Sequence, residues 1–264
     1  RELGYPVPDF DFGVAGVTSI SVDLHKYAYA AKGSSLILYR EPALRRHQFC
    51  VHTDWSGGIY ASPTMTGTRP GGAIAAAWAI MNHLGKAGYL ALADTVMKTT
   101  LRLKEGVSAI RDVEILGDPA MSILAIGSEH LNVYEIGDEL TQSGWHLDRQ
   151  QLPPSLHLTV THAHAPVAEQ FLTDLEAAAG QAKSINRNRL LNSAQVGLAR
   201  AAVRLLPEKW VSDLTGRASA LTGTKGGQLP SRSAAMYGMM ATLPNQGDLE
   251  ELVLDLLDQL TRLE

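Results

Sequence analysis

Two short apolar runs, residues 17–22 and 35–39, stand on either side of a small polar connection that carries His25, Lys26 and Lys32. β-Branched side chains dominate the first run, and the second reads Ser-Leu-Ile-Leu-Tyr, so both are expected as buried strands. Strands joined this tightly fix a lysine at a strand end. An amine held there by short connections on both sides is what a chain needs to bind an aldehyde cofactor as an imine, and pyridoxal phosphate is the expected one. A free lysine amine has a pKa of ~10.4, so attack on a carbonyl near neutral pH requires desolvation or a neighbouring cation. Burial beside His25 and Lys32 is expected to supply both. A bare His-Lys pair would read as an ordinary surface lysine, and the longer string around it is what changes the reading.

Composition enters as a set of exclusions. In 264 residues, a hydrophobic share of 45% is enough for a real core. The net charge of -4 and the scattered lysines and arginines form no basic stripe, so nucleic acid is not an expected partner. Cys50 is the only cysteine; it allows no intrachain disulfide and suits a reducing compartment. No apolar run reaches the ~20 residues of a membrane-spanning helix, and the opening residues do not read as a signal peptide, so a soluble cytoplasmic protein is expected.

Beyond the lysine, residues 53–72 are dense in glycine, hydroxyls and proline, and no regular element fits them. The stretch supplies backbone N–H groups, hydroxyls and the Arg69 guanidinium for holding an anion; a connector packed by its own Trp55 and Tyr60 is the alternative. From Ala73, the apolar positions Ile74, Ala77, Trp78 and Met81 recur at helical spacing until Gly85. A second helix is expected over 89–105, with Leu92, Val96, Thr99 and Leu103 on one face and Gly106 as its cap.

Shorter elements follow: strands over 113–116 and 122–126, an amphipathic helix over 133–143, a strand over 156–160 and a covering helix over 166–179. Strands mixed with helices predict a small α+β domain. The division expected is therefore 1–105 and 106–264. His157, His162 and His164 lie close together, but without a cysteine or carboxylate cluster at ligand spacing no metal is assigned to them. A partly basic helix is expected over 186–206, a loop over 215–233 and a final amphipathic helix over 248–263.

The string from Gly16 to Tyr27, followed by Lys32-Gly33-Ser34-Ser35, resembles the lysine segment of the sphingosine-1-phosphate lyases, within the group II pyridoxal-phosphate-dependent decarboxylase family. A second block agrees: Thr53-Asp54-Trp55, Gly57 to Thr64, and Gly67-Thr68-Arg69-Pro70-Gly71-Gly72 are closer to those lyases than to glutamate or aromatic amino-acid decarboxylases. The match continues more weakly through Gly144-Trp145 and Pro153 to His157, and returns at Met236-Tyr237-Gly238-Met239.

The resemblance implies an α/β, fold-type-I architecture. This chain would supply the C-terminal part of the large, mainly parallel-sheet domain and a small α+β C-terminal domain, with an insertion over 183–233. It implies a homodimer with shared active sites. Lys26 would be the lysine bonded to pyridoxal phosphate, and His25 would contact the cofactor phosphate. Lys32 would be a second catalytic lysine that meets the substrate phosphate, Gly67 and Thr68 a loop approaching the cofactor phosphate, and Tyr60 part of the substrate wall. The implied reaction is retro-aldol cleavage of a phosphorylated long-chain base to a long-chain aldehyde and phosphoethanolamine. In the family pattern, the aspartate on the pyridine nitrogen, the ring-stacking histidine and the main phosphate loop fall ahead of residue 1. Two alternatives stay open: an amino-acid decarboxylase of the same family, and a non-catalytic truncated chain acting only as an assembly module.

Overall fold

Strand pairing in the N-terminal part follows directly from the two apolar runs. In the computed structural model, which describes residues 1–184 together with Ala234 and Leu254, β1 (Ser19–Asp23) lies antiparallel to β2 (Ser35–Tyr39). Ser19 is opposite Tyr39 and Asp23 opposite Ser35. Arg40, just past β2, donates from Nε to Val17 O at 2.6 Å and from Nη2 to Phe12 O and Val14 O at 2.8 and 2.9 Å. Those carbonyls belong to a loop without ladder partners, and the guanidinium satisfies them.

The expected burial of this ribbon is not what the structure shows. Leu36, Ile37 and Leu38 are 43%, 47% and 43% exposed, so both faces of β2 are open among the described residues. A two-stranded ribbon has no second layer of its own, and pairing alone does not bury its side chains.

A short helix, α1 (Pro42–Arg45), and a 3-10 turn (Arg46–Gln48) lead to a second antiparallel hairpin, β3 (Cys50–Trp55) and β4 (Gly58–Ser62). It corrects the expectation that residues 53–72 hold no regular element. The β-favouring side chains Val51, Thr53, Trp55, Ile59 and Tyr60 prevail over the glycines, which form the turn; Gly58 takes a φ of 101°. Residues 63–70 remain irregular.

Helix α2 (Gly71–Ala109) follows, interrupted at Gly85, where φ is 54° and ψ -174°. The expected break is therefore found at that residue. Gly106 is not a cap. It lies inside α2, where an added Cβ would come within 2.3 Å of Leu172 Cδ1. Its missing side chain makes room for a neighbour rather than a turn.

By contacts the chain divides into two compact units, Arg1–Thr95 and Val96–Glu264. The second has a four-stranded antiparallel sheet in the order β5 (Glu114–Ile115), β6 (Ile123–Gly127), β8 (Pro154–Thr159), β7 (Asp148–Gln151). All strand pairs among the described residues are antiparallel, so the mainly parallel sheet of the implied large domain is not built by these strands. Strand β7, Asp-Arg-Gln-Gln, is too polar for an apolar pattern to reveal.

Helix α3 (Val133–Gln142) starts at Asn132, whose side chain accepts from Tyr134 N. It is amphipathic in sequence, as expected, yet buried all round from Val133 to Leu140, acidic residues included. A 3-10 turn (His162–Val167) precedes helix α4 (168–184). The core joins Leu103 and Val107 of α2, Leu124 and Ile126 of β6, Ile136 and Leu140 of α3, Leu156 of β8, and Phe171 and Leu175 of α4.

A buried ion pair crosses this core: Arg149 Nη2 lies 2.7 Å from Asp138 Oδ1, with side chains 14% and 6% exposed. The other oxygen of Asp138 accepts from Ala234 N at 2.9 Å. Pairing and hydrogen bonding are what make a buried carboxylate tolerable. The elements expected over 186–206, 215–233 and 248–263, the block at 236–239 and nearly all of the 183–233 insertion lie outside the described residues.

Gly106→Ala should gain about 1 kcal/mol of helix propensity and lose about 1–3 kcal/mol to overpacking against Leu172. A net loss of stability is expected, read as a lower urea midpoint of the whole chain.

Asp112 gives a pH prediction. Its Oδ2 accepts from Lys183 Nζ at 2.8 Å, and that hydrogen bond outweighs the opposing effect of burial and, with smaller help from the Lys183 and Arg111 charges, holds its carboxyl below the ordinary value. A depressed carboxylate contributes stability that is present above the unfolded pKa and lost as pH falls through the folded one. Asp112→Asn, which tolerates the local φ of 65°, should therefore flatten the loss of stability below about pH 4, as followed by acid titration of unfolding.

Candidate active site

The His25-Lys26 turn is built from the backbone outward. Asp23 ends β1, and its carbonyl accepts from Lys26 N at 3.1 Å; Leu24 O accepts from Ala30 N at 3.0 Å. Leu24 is 6% exposed and anchors the turn from below. Tyr89 of α2 donates its hydroxyl to Ala28 O at 2.8 Å, which fixes the far side. Tyr29 has a φ of 56°, and partial burial, then the nearby phenols of Tyr27 and Tyr89, push its own phenol up from the ordinary value.

Lys26 Nζ sits 2.9 Å from Asp23 Oδ2, with the lysine side chain 63% exposed and the aspartate 39%. Ser35 Oγ donates to Asp23 Oδ1 at 2.8 Å. The Lys26 hydrogen bond, followed by that of Ser35, holds the Asp23 carboxyl below its ordinary value. Two sequence expectations are modified here. The amine is not desolvated by the described residues, and its immediate partner is a carboxylate that pattern reading passed over. An aspartate three residues before a lysine at the end of a strand was the available signal.

Lys32 lies on the return side of the same connection and is exposed. Beside it, Gly33 takes a φ of 115°, and an added Cβ would stand 3.1 Å from Ala73 Cβ. Ser34 Oγ donates to Ala73 O at 3.5 Å. The Lys32 connection thus packs on the first turn of α2, directly after the loop that carries Gly67 and Thr68. A relay of side chains supports that loop from the β1–β2 ribbon: Tyr39 OH donates to Gln48 Oε1 at 2.8 Å, and Gln48 Nε2 donates to Pro63 O at 2.7 Å. Gly67 has a φ of 61°, and Arg69 donates from Nε and Nη2 to Thr66 Oγ1.

Tyr60 is placed elsewhere, on the β3–β4 hairpin. Its ring meets Trp55 edge-on at 6.0 Å, and with His52 the two line an open aromatic depression. Two of the three histidines considered for metal have neighbours of their own: His157 Nδ1 is 3.7 Å from Asp148 Oδ2 across the β7–β8 pair, and His164 Nδ1 accepts from Thr161 N at 2.9 Å.

The donor set fits an aldehyde-bearing phosphate ester. A solvent-reachable primary amine, paired with Asp23, is available to a carbonyl once that contact opens, and an imidazole, a second lysine and a loop with a left-handed glycine are suited to anionic oxygens.

No family model matches the chain. Among curated proteins, it is 48% identical over 184 residues to a sphingosine-1-phosphate lyase of Arabidopsis thaliana, covering 70% of this chain and 34% of the relative. It is 40% identical over 223 residues to sphingosine-1-phosphate lyase 1 of Rattus norvegicus, covering 81% and 39%. The chain thus spans about a third of the length of these relatives. Among solved structures, a sphingosine-1-phosphate lyase of Burkholderia pseudomallei superimposes with a TM-score of 0.67 at 40% identity, over 74% of this chain and 45% of that one. A glutamate decarboxylase of Lactobacillus brevis shares the fold at 15% identity, with a TM-score of 0.55 over 65% and 42%. The architecture is the expected fold-type-I one. Over the span it shares with these proteins, the chain is similar to sphingosine-1-phosphate lyases at 40 to 48% identity.

Proposed function

We propose that this chain carries the lysine segment and small domain of a pyridoxal-phosphate-dependent aldehyde-lyase that cleaves phosphorylated sphingoid bases. The observation that carries the reading is the turn at the end of β1, which presents Lys26 and His25 together and returns Lys32 toward the start of α2. The 40% identity to a lyase structure, against 15% to a glutamate decarboxylase, favours the lyase over the decarboxylase alternative. The cytoplasmic setting rests on the single cysteine, and among the described residues no helix is long and apolar enough to cross a membrane. The homodimer rests on the family resemblance.

In this reading Lys26 would hold the cofactor aldehyde through its amine. His25, Gly67 and Thr68 hold the cofactor phosphate. Lys32 meets the substrate phosphate and so fixes the orientation of the carbon chain; orientation selects the bond that breaks. Tyr60 offers an apolar wall with a polar tip. Pyridoxal phosphate, when bound, supplies the sink for the electron pair of the breaking bond. That bond joins the amine-bearing carbon to the hydroxyl-bearing carbon. As it breaks, the hydroxyl proton leaves to a base, the hydroxyl carbon becomes the aldehyde, and Lys26 is placed to return a proton to the amine-bearing carbon.

Incubation of the purified chain with pyridoxal phosphate, then borohydride reduction and peptide mapping, should label Lys26 and lose that label in Lys26→Ala. Scattered label unchanged in the variant would overturn the assignment. In the full-length protein, Lys32→Ala should lower kcat/KM by about 100-fold or more, in line with loss of a charged contact to phosphate, while leaving the Lys26 label intact. Release of aldehyde separates the lyase from the decarboxylase, which releases carbon dioxide.

A further inference from the structure

Each oxygen of the Asp23 carboxylate has its own donor. Ser35 Oγ donates to Oδ1 at 2.8 Å from the opposite strand, and Lys26 Nζ lies 2.9 Å from Oδ2. The backbone reinforces the second contact, because Lys26 N donates to Asp23 O at 3.1 Å and closes the turn on the same residue. Asp23 is itself held by its register position opposite Ser35. The charged groups recorded around the carboxylate are Lys26 and His25 on its own turn. From β2 comes the neutral Ser35 hydroxyl, and α2 contributes the Tyr89 hydroxyl, which is spent on Ala28 O. An amine attacks a carbonyl through its lone pair. An ammonium bound to a carboxylate has none to offer until it has given up its proton.

We propose that Asp23 is a positioning residue: the counter-ion that holds the Lys26 amine at rest on the β1 turn and sets how fast that amine reacts with an aldehyde. This rests on the reading of Lys26 as the cofactor amine. It adds a device to that reading. The lysine is stored against a partner of its own turn, and each cycle of cofactor attachment must first break that contact.

The test compares wild type, Asp23→Asn and Asp23→Glu by the rate at which an N-hydroxysuccinimide acetate ester acetylates each lysine across neutral to mildly alkaline pH. Rates are read by peptide mapping, with Lys32 as the internal reference. Asparagine keeps an acceptor for Ser35 and removes the charge. Lys26 of Asp23→Asn should acetylate about two- to fivefold faster, the range an exposed ion pair can supply, and the pH profile of Lys26 alone should move toward lower pH. Asp23→Glu should return the rate toward wild type. In wild-type protein, raised salt should move Lys26 in the same direction as the neutral variant, which keeps the test decisive if Asp23→Asn fails to fold. Lys26 rates indifferent to both the substitution and salt would overturn the proposal. The cofactor reading fails separately: faster acetylation with no pyridoxal phosphate trapped at Lys26 in any of the proteins would sustain the Asp23 contact and remove Lys26 as the cofactor amine.

Discussion

Side chains alternate along a strand, so a slip of one residue in the β1–β2 pairing would turn Asp23 and Ser35 to opposite faces and dissolve the contact between them. The turn that carries His25, Lys26 and Lys32 hangs on that register. Its length, its entry from Asp23 and its exit into Ser35 are set by which residues of the two strands face each other. Arg40 guards the other end of the ribbon by taking up the carbonyls of Phe12, Val14 and Val17, and Tyr89 pins the middle of the turn through Ala28. Directed polar contacts, together with the buried Leu24, hold this reactive segment in place.

The second unit is organised differently. Its sheet, α3 and α4 close over a continuous apolar core, and the buried pair of Asp138 with Arg149 is placed within it, with Ala234 N on the remaining carboxylate oxygen. A buried carboxylate satisfied on both oxygens tolerates few alternative packings, since any rearrangement leaves a charge uncompensated. One unit is thus fastened by hydrogen bonds to a turn, the other by volume and one internal charge pair.

Legibility in the sequence followed the same division. Residues 35–39 show as a strand because four consecutive apolar or aromatic side chains, Leu36 to Tyr39, lie between polar turn residues, and the helix break is legible at Gly85 because a glycine interrupts a periodic pattern. Helix α3 is legible from its amphipathic period. The exposure of β2 was not foreseeable, because apolar character tells what a strand prefers and not whether a second layer is present in the same chain. The β3–β4 hairpin was hidden by glycines that belong to its turn, and β7 by its polarity. Of the candidate site, the strand ends carrying Lys26 and Lys32 were legible from local pattern. The contact of Lys26 with Asp23 was legible only as a three-residue spacing, since whether it forms depends on a side-chain direction fixed by pairing with Ser35 across twelve residues of sequence.

The close fit of Leu172 over Gly106 carries a consequence for how this lineage can diverge. The space where a Cβ at position 106 would stand is filled by a side chain from another helix, with Cδ1 and Cδ2 at 2.3 and 2.6 Å from that point. Either position alone is therefore trapped: a larger residue at 106 has no room, and a smaller one at 172 opens a void. Drift is expected to occur only in step, so homologues that carry alanine or serine at 106 should also carry valine or alanine at 172. In a collection of related sequences the two columns would covary, though they stand far apart in the chain and neither belongs to the chemistry of the lysine turn.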